Sequence, residues 1–263
     1  MEKRKHTHKL LLYIVLFTFL LSVGTSSSAQ SFFQKAENSF AKRYKNFDGT
    51  YANKFYVNKA VRDYKKSEKT PETIAALLRA YEFKASYTKQ SKIIKKKIYK
   101  KAVDLGKKGM RQYPENIAIK YYYMANLGRW GQEVSIVKAT RKGVVDEIRT
   151  INTELIEIDS TFDEAGALRI LGAMHLKIPR VPFIIDWPSE EKALLLLRSA
   201  YRQAPLNVGN VLLYAEALIK IGEEEEAKPL LEDIMTRKPR KSHLLEEQKK
   251  IEEATRLYNK TYS

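Results

Sequence analysis

The chain has 263 residues, is 44% hydrophobic, carries four histidines, 16 tyrosines and no cysteine, and has a formal net charge of +17 at pH 7. That length and apolar content suffice for a core of its own, and the absence of cysteine excludes disulfides, thiol nucleophiles and cysteine-bound zinc. The charge is lopsided: residues 30–113 hold 22 Lys/Arg against 7 Asp/Glu, whereas residues 114–263 hold 22 against 23.

Residues 1–29 read as a secretory signal peptide. Lys3, Arg4, Lys5 and Lys9 precede an apolar run from Leu10 to Val23, and Ser27 and Ala29 occupy small-residue positions before a cut after Ala29. The run is short for a membrane span, which takes about 20 residues; an uncleaved anchor is the rival reading. With no cysteine after the run, a lipid anchor through cysteine is not expected. The mature chain is then one all-helical domain, residues 30–263, in a bacterial periplasm or secreted.

Phe33, Ala36, Phe40 and Tyr44 recur at helical spacing and predict a first helix. Residues 50–64 are weakly patterned. Thr70 and Pro71 form a helix start, followed by a stripe of Ile74, Leu77, Leu78, Tyr81 and Ala85. Residues 93–112 predict a helix with Ile94, Ile98, Ala102, Leu105 and Gly109 on one side and lysines on the other. A further helix over 115–127 is followed by a tight turn at Gly128-Arg129-Trp130-Gly131. Ile136, Val144, Ile148, Ile151 and Leu155 then mark a long bracing helix over 132–158, which at 1.5 Å per residue would span roughly 40 Å. Asp159-Ser160 is placed to cap a helix over 162–176. Residues 178–189 carry three prolines and Trp187 in an apolar loop, and a polar helix over 241–262 ends the chain as a solvent-facing cap.

The clearest organisation lies in residues 190–239. Ala193, Leu197, Ala200 and Pro205 recur as Ala227, Leu231, Ile234 and Pro239, an offset of 34 residues in one register. That is the tetratricopeptide period. Ala102, Gly106, Gly109 and Pro114 repeat the same internal spacing, so three second helices of an irregular repeat array can be placed. The fold class expected is all-α: an irregular tetratricopeptide-like helical-repeat domain with a long bracing helix.

Catalytic chemistry finds no footing. Of the histidines, His6 and His8 fall in the leader, leaving His175 and His243 68 residues apart, with no metal-ligand spacing. No carboxylate pair has a context that marks it, and no Gly-rich phosphate loop exists. The reading is therefore non-catalytic, with no cofactor and no nucleic-acid partner. Arg169, flanked by small residues, is placed to face a cavity and hold a carboxylate; the bland alternative is a structural salt bridge. His175 reads more simply as a packed histidine, and Tyr121, Tyr122 and Tyr123 as pocket lining or packing. The basic 30–113 region suits peripheral contact with an anionic membrane, or is simply a solvated lysine face.

The blocks YYYMANLGRWG (121–131), DSTFDEAGALRILGAMH (159–175) and IPRVPFIIDWPSEEKALLLLRSAYRQAP (178–205) resemble the T-component proteins of bacterial TRAP transporters, the TatT-like family. The family pattern Gly-Gly-x-x-Arg-x-Leu-Gly is met at Gly166, Arg169, Leu171 and Gly172, with Ala165 in place of the first glycine. The resemblance implies a periplasmic homotrimer with a hydrophobic cleft in each protomer. It implies as partner the substrate-binding P component, handling an organic acid or other hydrophobic small molecule. Cleft candidates on that basis are Tyr122, Asn126, Trp130, Arg169, Gly172, His175 and Trp187. The alternative is a tetratricopeptide-type protein–protein interaction scaffold of the cell envelope.

Overall fold

A computed structural model describes residues 30–134, 139–140, 142–180, 185 and 187–263. The expected signal peptide, Ile136 of the long stripe, and Val181, Phe183, Ile184 and Asp186 of the apolar loop lie outside the described residues. Helix α1 covers 30–41, followed by α2 (Lys54–Lys66), α3 (Pro71–Tyr87), α4 (Lys92–Gln112) and α5 (Ile117–Val134). Then come α6 (Val144–Asp159), α7 (Phe162–Lys177), α8 (Glu190–Gln203), α9 (Val208–Lys220), α10 (Glu224–Thr236) and α11 (Leu244–Tyr262). The fold is all-α and tetratricopeptide-like, with no strand among the described residues.

Local chemistry sets the helix starts. The side chains of Asn53, Thr70, Ser91, Ser189 and Asn207 each accept a bond from an amide in the following turn, satisfying donors that have no partner inside a helix. At Thr70 the amide is that of Thr73, with Pro71 in the first helical position. The 34-residue signature is a burial signature: Ala193, Leu197, Ala200, Ala227, Leu231 and Ile234 are all fully buried. Fully burying a leucine such as Leu231 stabilises by about 1.5–3 kcal/mol. The small residues set the spacing between helices. A methyl added at Gly106 would sit 2.5 Å from Cδ2 of Tyr123, and one at Gly172 would sit 2.6 Å from Cγ of Leu197.

Successive helices pack as neighbours from α2 to α11, and side chains fill three main clusters: α1–α5, α4–α8 and α8–α11. The array then closes on itself. After α10, the chain crosses back so that the start of α11 meets the turn after α1. Leu245 joins the amino-terminal core. The Arg43 guanidinium donates to the Ser242 carbonyl, the Tyr44 hydroxyl to the Glu246 carboxylate, and the Gln248 amide to the Gly49 carbonyl at 3.2 Å. The last helix is therefore a closing element as well as a cover for α9 and α10.

Two other expectations need correction. No single helix runs over 132–158: α5 ends at Val134, and α6 begins at Val144 after Gly143, which adopts φ +70° at its start. Conversely, Gly128-Arg129-Trp130-Gly131 is not a turn, because α5 continues through it to Val134. Gly131 is buried there against Ala139 and Val144, so its lack of a side chain serves packing.

Asp159 and Ser160 do not cap α7 in the expected way either. Asp159 accepts bonds from the backbone and hydroxyl of Thr161 instead, and Asp163, Glu164 and Ala165 all take left-handed φ values of 51°, 57° and 61°. Left-handed backbone costs roughly 1–2 kcal/mol per non-glycine residue. A one-turn run of it persists only where surrounding contacts over-determine it.

Candidate functional site

The closing contacts leave a half-open concavity of about 1120 Å³ between the helices. Its apolar lining comes from α5, α6 and α7, including Met124, Val144, Val145, Ile148, Ile170 and Met174. Its polar lining comes from α3, the strained turn and the carboxy-terminal segment, including Arg79, Glu82, Asp163, Glu164, Arg240 and Glu246. Cations and carboxylates are interleaved, so the space offers paired polar groups and not one net sign.

The strained turn is the hub of this polar lining. The Asp163 carboxylate accepts from the Tyr121 hydroxyl at 2.5 Å and from the Tyr122 hydroxyl at 3.4 Å. The Arg169 guanidinium donates to the Glu164 carbonyl at 3.1 Å, to Asn210 Oδ1 at 2.9 Å and to the Tyr121 oxygen at 3.3 Å. Asn210, fully buried, in turn donates to the carbonyls of Glu164 and Ala200 at 3.0 Å. The Glu164 carboxylate takes both terminal nitrogens of Arg240, at 2.5 and 2.9 Å, and the Asn207 amide at 2.5 Å. The bond from Arg240 and that from Asn207 hold the Glu164 carboxyl down at about 2, against some cost of burial. Burial, followed by the field of Asp163, keeps the Tyr122 phenol protonated far above its ordinary range. Burial does the same to Tyr121, opposed by Arg169.

The seven candidates separate on this geometry. Tyr122 and Arg169 line the large cavity. Arg169 is engaged by protein groups, with the Asp163 carboxylate 3.5 Å from its guanidinium besides the bonds above. Asn126 is fully buried and ties α5 to α3, donating to the carbonyls of Leu78 and Tyr122 at 3.0 and 2.8 Å. Trp130 packs between the first two clusters with the Lys142 ammonium 5.5 Å from its ring. Gly172 marks the close crossing of α7 and α8. His175 and Trp187 meet edge to face at 5.0 Å and line a second cavity of about 400 Å³ with Arg149 and Lys192. The Ser189 amide donates to His175 Nδ1 at 3.1 Å, which leaves the proton of the neutral ring on Nε2. Burial and then the charges of Lys192 and Arg149 depress the His175 pKa.

Sequence reasoning missed Asn207, Asn210 and Arg240 and gave Asp163 and Glu164 no role. A signal existed for the first two: asparagines ahead of and inside the first turn of an apolar helix are cap and buried-bridge residues. Nothing local marks Arg240, whose partner lies 76 positions away. Among the described residues no cluster of three or more His, Asp or Glu could hold a metal ion, and no helix is long and apolar enough to cross a membrane.

Comparison with known families agrees with the period read from the residues. The family model described as tetratricopeptide repeat matches residues 191–251, from the start of α8 into α11. No curated protein matches the chain.

Proposed function

We propose that this protein is a non-catalytic interaction scaffold whose binding surface is the half-open concavity, and that its guest is a narrow, extended segment of a partner protein. Tetratricopeptide-type repeats commonly serve protein–protein interaction, which supports the class. The observation that carries the site is the ring closure through α11, which narrows the groove into a half-open lumen with apolar and polar lining. An extended segment fits such a space. Apolar side chains would sit against Met124, Ile148 and Met174, and peptide groups and charges would meet Arg79, Glu82 and Asp163. At about 1120 Å³ the volume lies just above the usual range for small-molecule pockets, roughly 300–1000 Å³.

A second reading rests on the same enclosure. A lumen with an apolar side and an arginine-bearing polar side also suits an elongated amphipathic organic acid, which would displace the protein carboxylates that Arg79 and Arg240 hold. In that reading the chain works as a periplasmic TRAP-type T component beside a substrate-binding protein, as a trimer.

Native mass spectrometry of the gently purified protein separates the two. Added mass in the kilodalton range that sequences as peptide supports the scaffold. A trimer carrying a small organic adduct replaces it with the transporter reading. Ala173→Trp, which puts a large ring into the lumen, should weaken either adduct while leaving the far-UV circular dichroism unchanged; an adduct retained at full strength would place binding elsewhere.

A further inference from the structure

A second surface is independent of the lumen. Helices α2 and α4 flank the antiparallel α3, so both begin at the same end of the molecule. The Ala52 amide donates to the Tyr87 carbonyl at 2.8 Å, fixing the start of α2 beside the end of α3. At this end Phe55, in the first turn of α2, is 67% exposed. Ile93 and Ile94, in the first turn of α4, are 68% and 41% exposed. Three large apolar side chains thus stand in water at one rim.

Lysines surround them. Lys54 and Lys92 lie in the first turns of α2 and α4, Lys84 in the last turn of α3, Lys89 in the loop joining α3 and α4, and Lys96 and Lys101 one and two turns farther along α4. They feel one another: burial and then the charges of Lys65, Lys54 and Lys101 depress the Lys84 pKa, and Lys95 is among the charges that depress Lys249. Carboxylates near this end are Asp48, near Lys89, and, from α11, Glu252 and Glu246, which act on Lys249 together with Lys95; farther along α4, Asp104 is bonded to Lys100. Lysines outnumber carboxylates here, and apolar tips stand among them.

We propose that this rim docks the protein on an anionic phospholipid bilayer. Lysines would sit among the headgroups, and Phe55, Ile93 and Ile94 would enter the boundary with the acyl chains. Interfacial binding needs that combination: attraction to anionic lipid plus a small apolar area placed at headgroup depth. A soluble acidic protein or polyanion would satisfy the lysines and leave three apolar side chains in water. That is why the bilayer is the better fit.

The chain contains no cysteine, so single labels are unambiguous. The full chain would carry an environment-sensitive fluorophore on Ile93→Cys. As control, a second version would carry it on Leu206→Cys, equally apolar and 72% exposed in the α8–α9 turn. Each would be titrated with phosphatidylcholine vesicles with and without phosphatidylglycerol. The label at 93 should brighten with phosphatidylglycerol and be quenched by a lipid-borne quencher; the label at 206 should not. Each lysine near the surface contributes about five-fold in partitioning. Lys92→Glu/Lys96→Glu/Lys101→Glu should therefore weaken the response by about 100-fold or more, with circular dichroism unchanged. Failure of the label at 93 to respond, an equal response at 206, or vesicle binding with the label at 93 still unquenched would each overturn the proposal. The last outcome would indicate a purely electrostatic polyanion surface.

Discussion

The Glu164–Arg240 pair ties the segment that closes the ring to the strained turn at the start of α7, and its removal can be worked through. Glu164→Gln keeps the shape and loses the charge. The carboxyl sits at about 2 in the fold against 4.5 ordinarily, which sets an upper bound of about 3 kcal/mol. Both side chains are a third exposed, 33% and 37%, so solvent screens the interaction and about 1–2 kcal/mol is the realistic share. The folded pKa is depressed, so this stability is present above about pH 4.5 and is lost as pH falls towards about 2. For a domain of this size each kcal/mol moves Tm by about 2–4 °C. Scanning calorimetry at pH 7 should therefore place the variant about 2–8 °C below the parent. The gap should narrow as the pH is lowered through that window. A double-mutant cycle with Arg240→Gln should return most of the effect as coupling. Equal Tm values at pH 7, or a gap that does not change with pH, would refute the role assigned to the pair.

Three further outcomes follow, two at the strained turn and one at the second cavity. Gly166→Ala places a methyl 2.4 Å from the Tyr121 oxygen; it should destabilise by about 1–3 kcal/mol in urea unfolding, since the buried ring has to move and loosen its bond to Asp163. Ala165→Gly should act in the opposite direction. It relieves about 1–2 kcal/mol of left-handed strain and loses a buried methyl worth about 0.8 kcal/mol, a net gain of up to about 1 kcal/mol in the same assay. His175, depressed by burial and by Lys192 and Arg149, takes up its proton more readily unfolded than folded. Stability should therefore fall as pH drops below about 6.5, and His175→Gln should flatten that slope in Tm-versus-pH scans.

The parts legible in the sequence are those where identity at a fixed spacing has one physical meaning. Ala193, Leu197 and Ala200, and their counterparts 34 residues on, are fully buried because that spacing defines the inner face of a helix. Thr70-Pro71 reads directly as a helix start. The long helix failed because the apolar stripe stays in phase from α5 into α6, while α5 ends at Val134 and α6 starts anew behind the left-handed Gly143. The turn expected at 128–131 failed for the converse reason: glycine that permits close packing looks the same in sequence as glycine that permits a turn. The site was legible only in pieces. Arg169 could be singled out by its small neighbours. Its partners Tyr121 and Asn210 come from helices 48 and 41 positions away, and the left-handed run at 163–165 contradicts every local preference of Asp, Glu and Ala.

Closure of the ring also has a consequence for how the chain acquires its structure. A linear repeat array can nucleate anywhere and grow through neighbour contacts alone. Here the contacts of Arg43 with Ser242 and of Tyr44 with Glu246 span 199 and 202 positions. Their entropic cost falls at the end of folding, after the local hairpins are in place, and contacts of such sequence separation slow the reaction. During synthesis, Tyr44 and the pocket that receives Leu245 stay open to water until the last helix has emerged from the ribosome. A polypeptide stopped at Arg240 should therefore keep its helices yet expose both its amino-terminal core and its lumen, making it a substrate for chaperones.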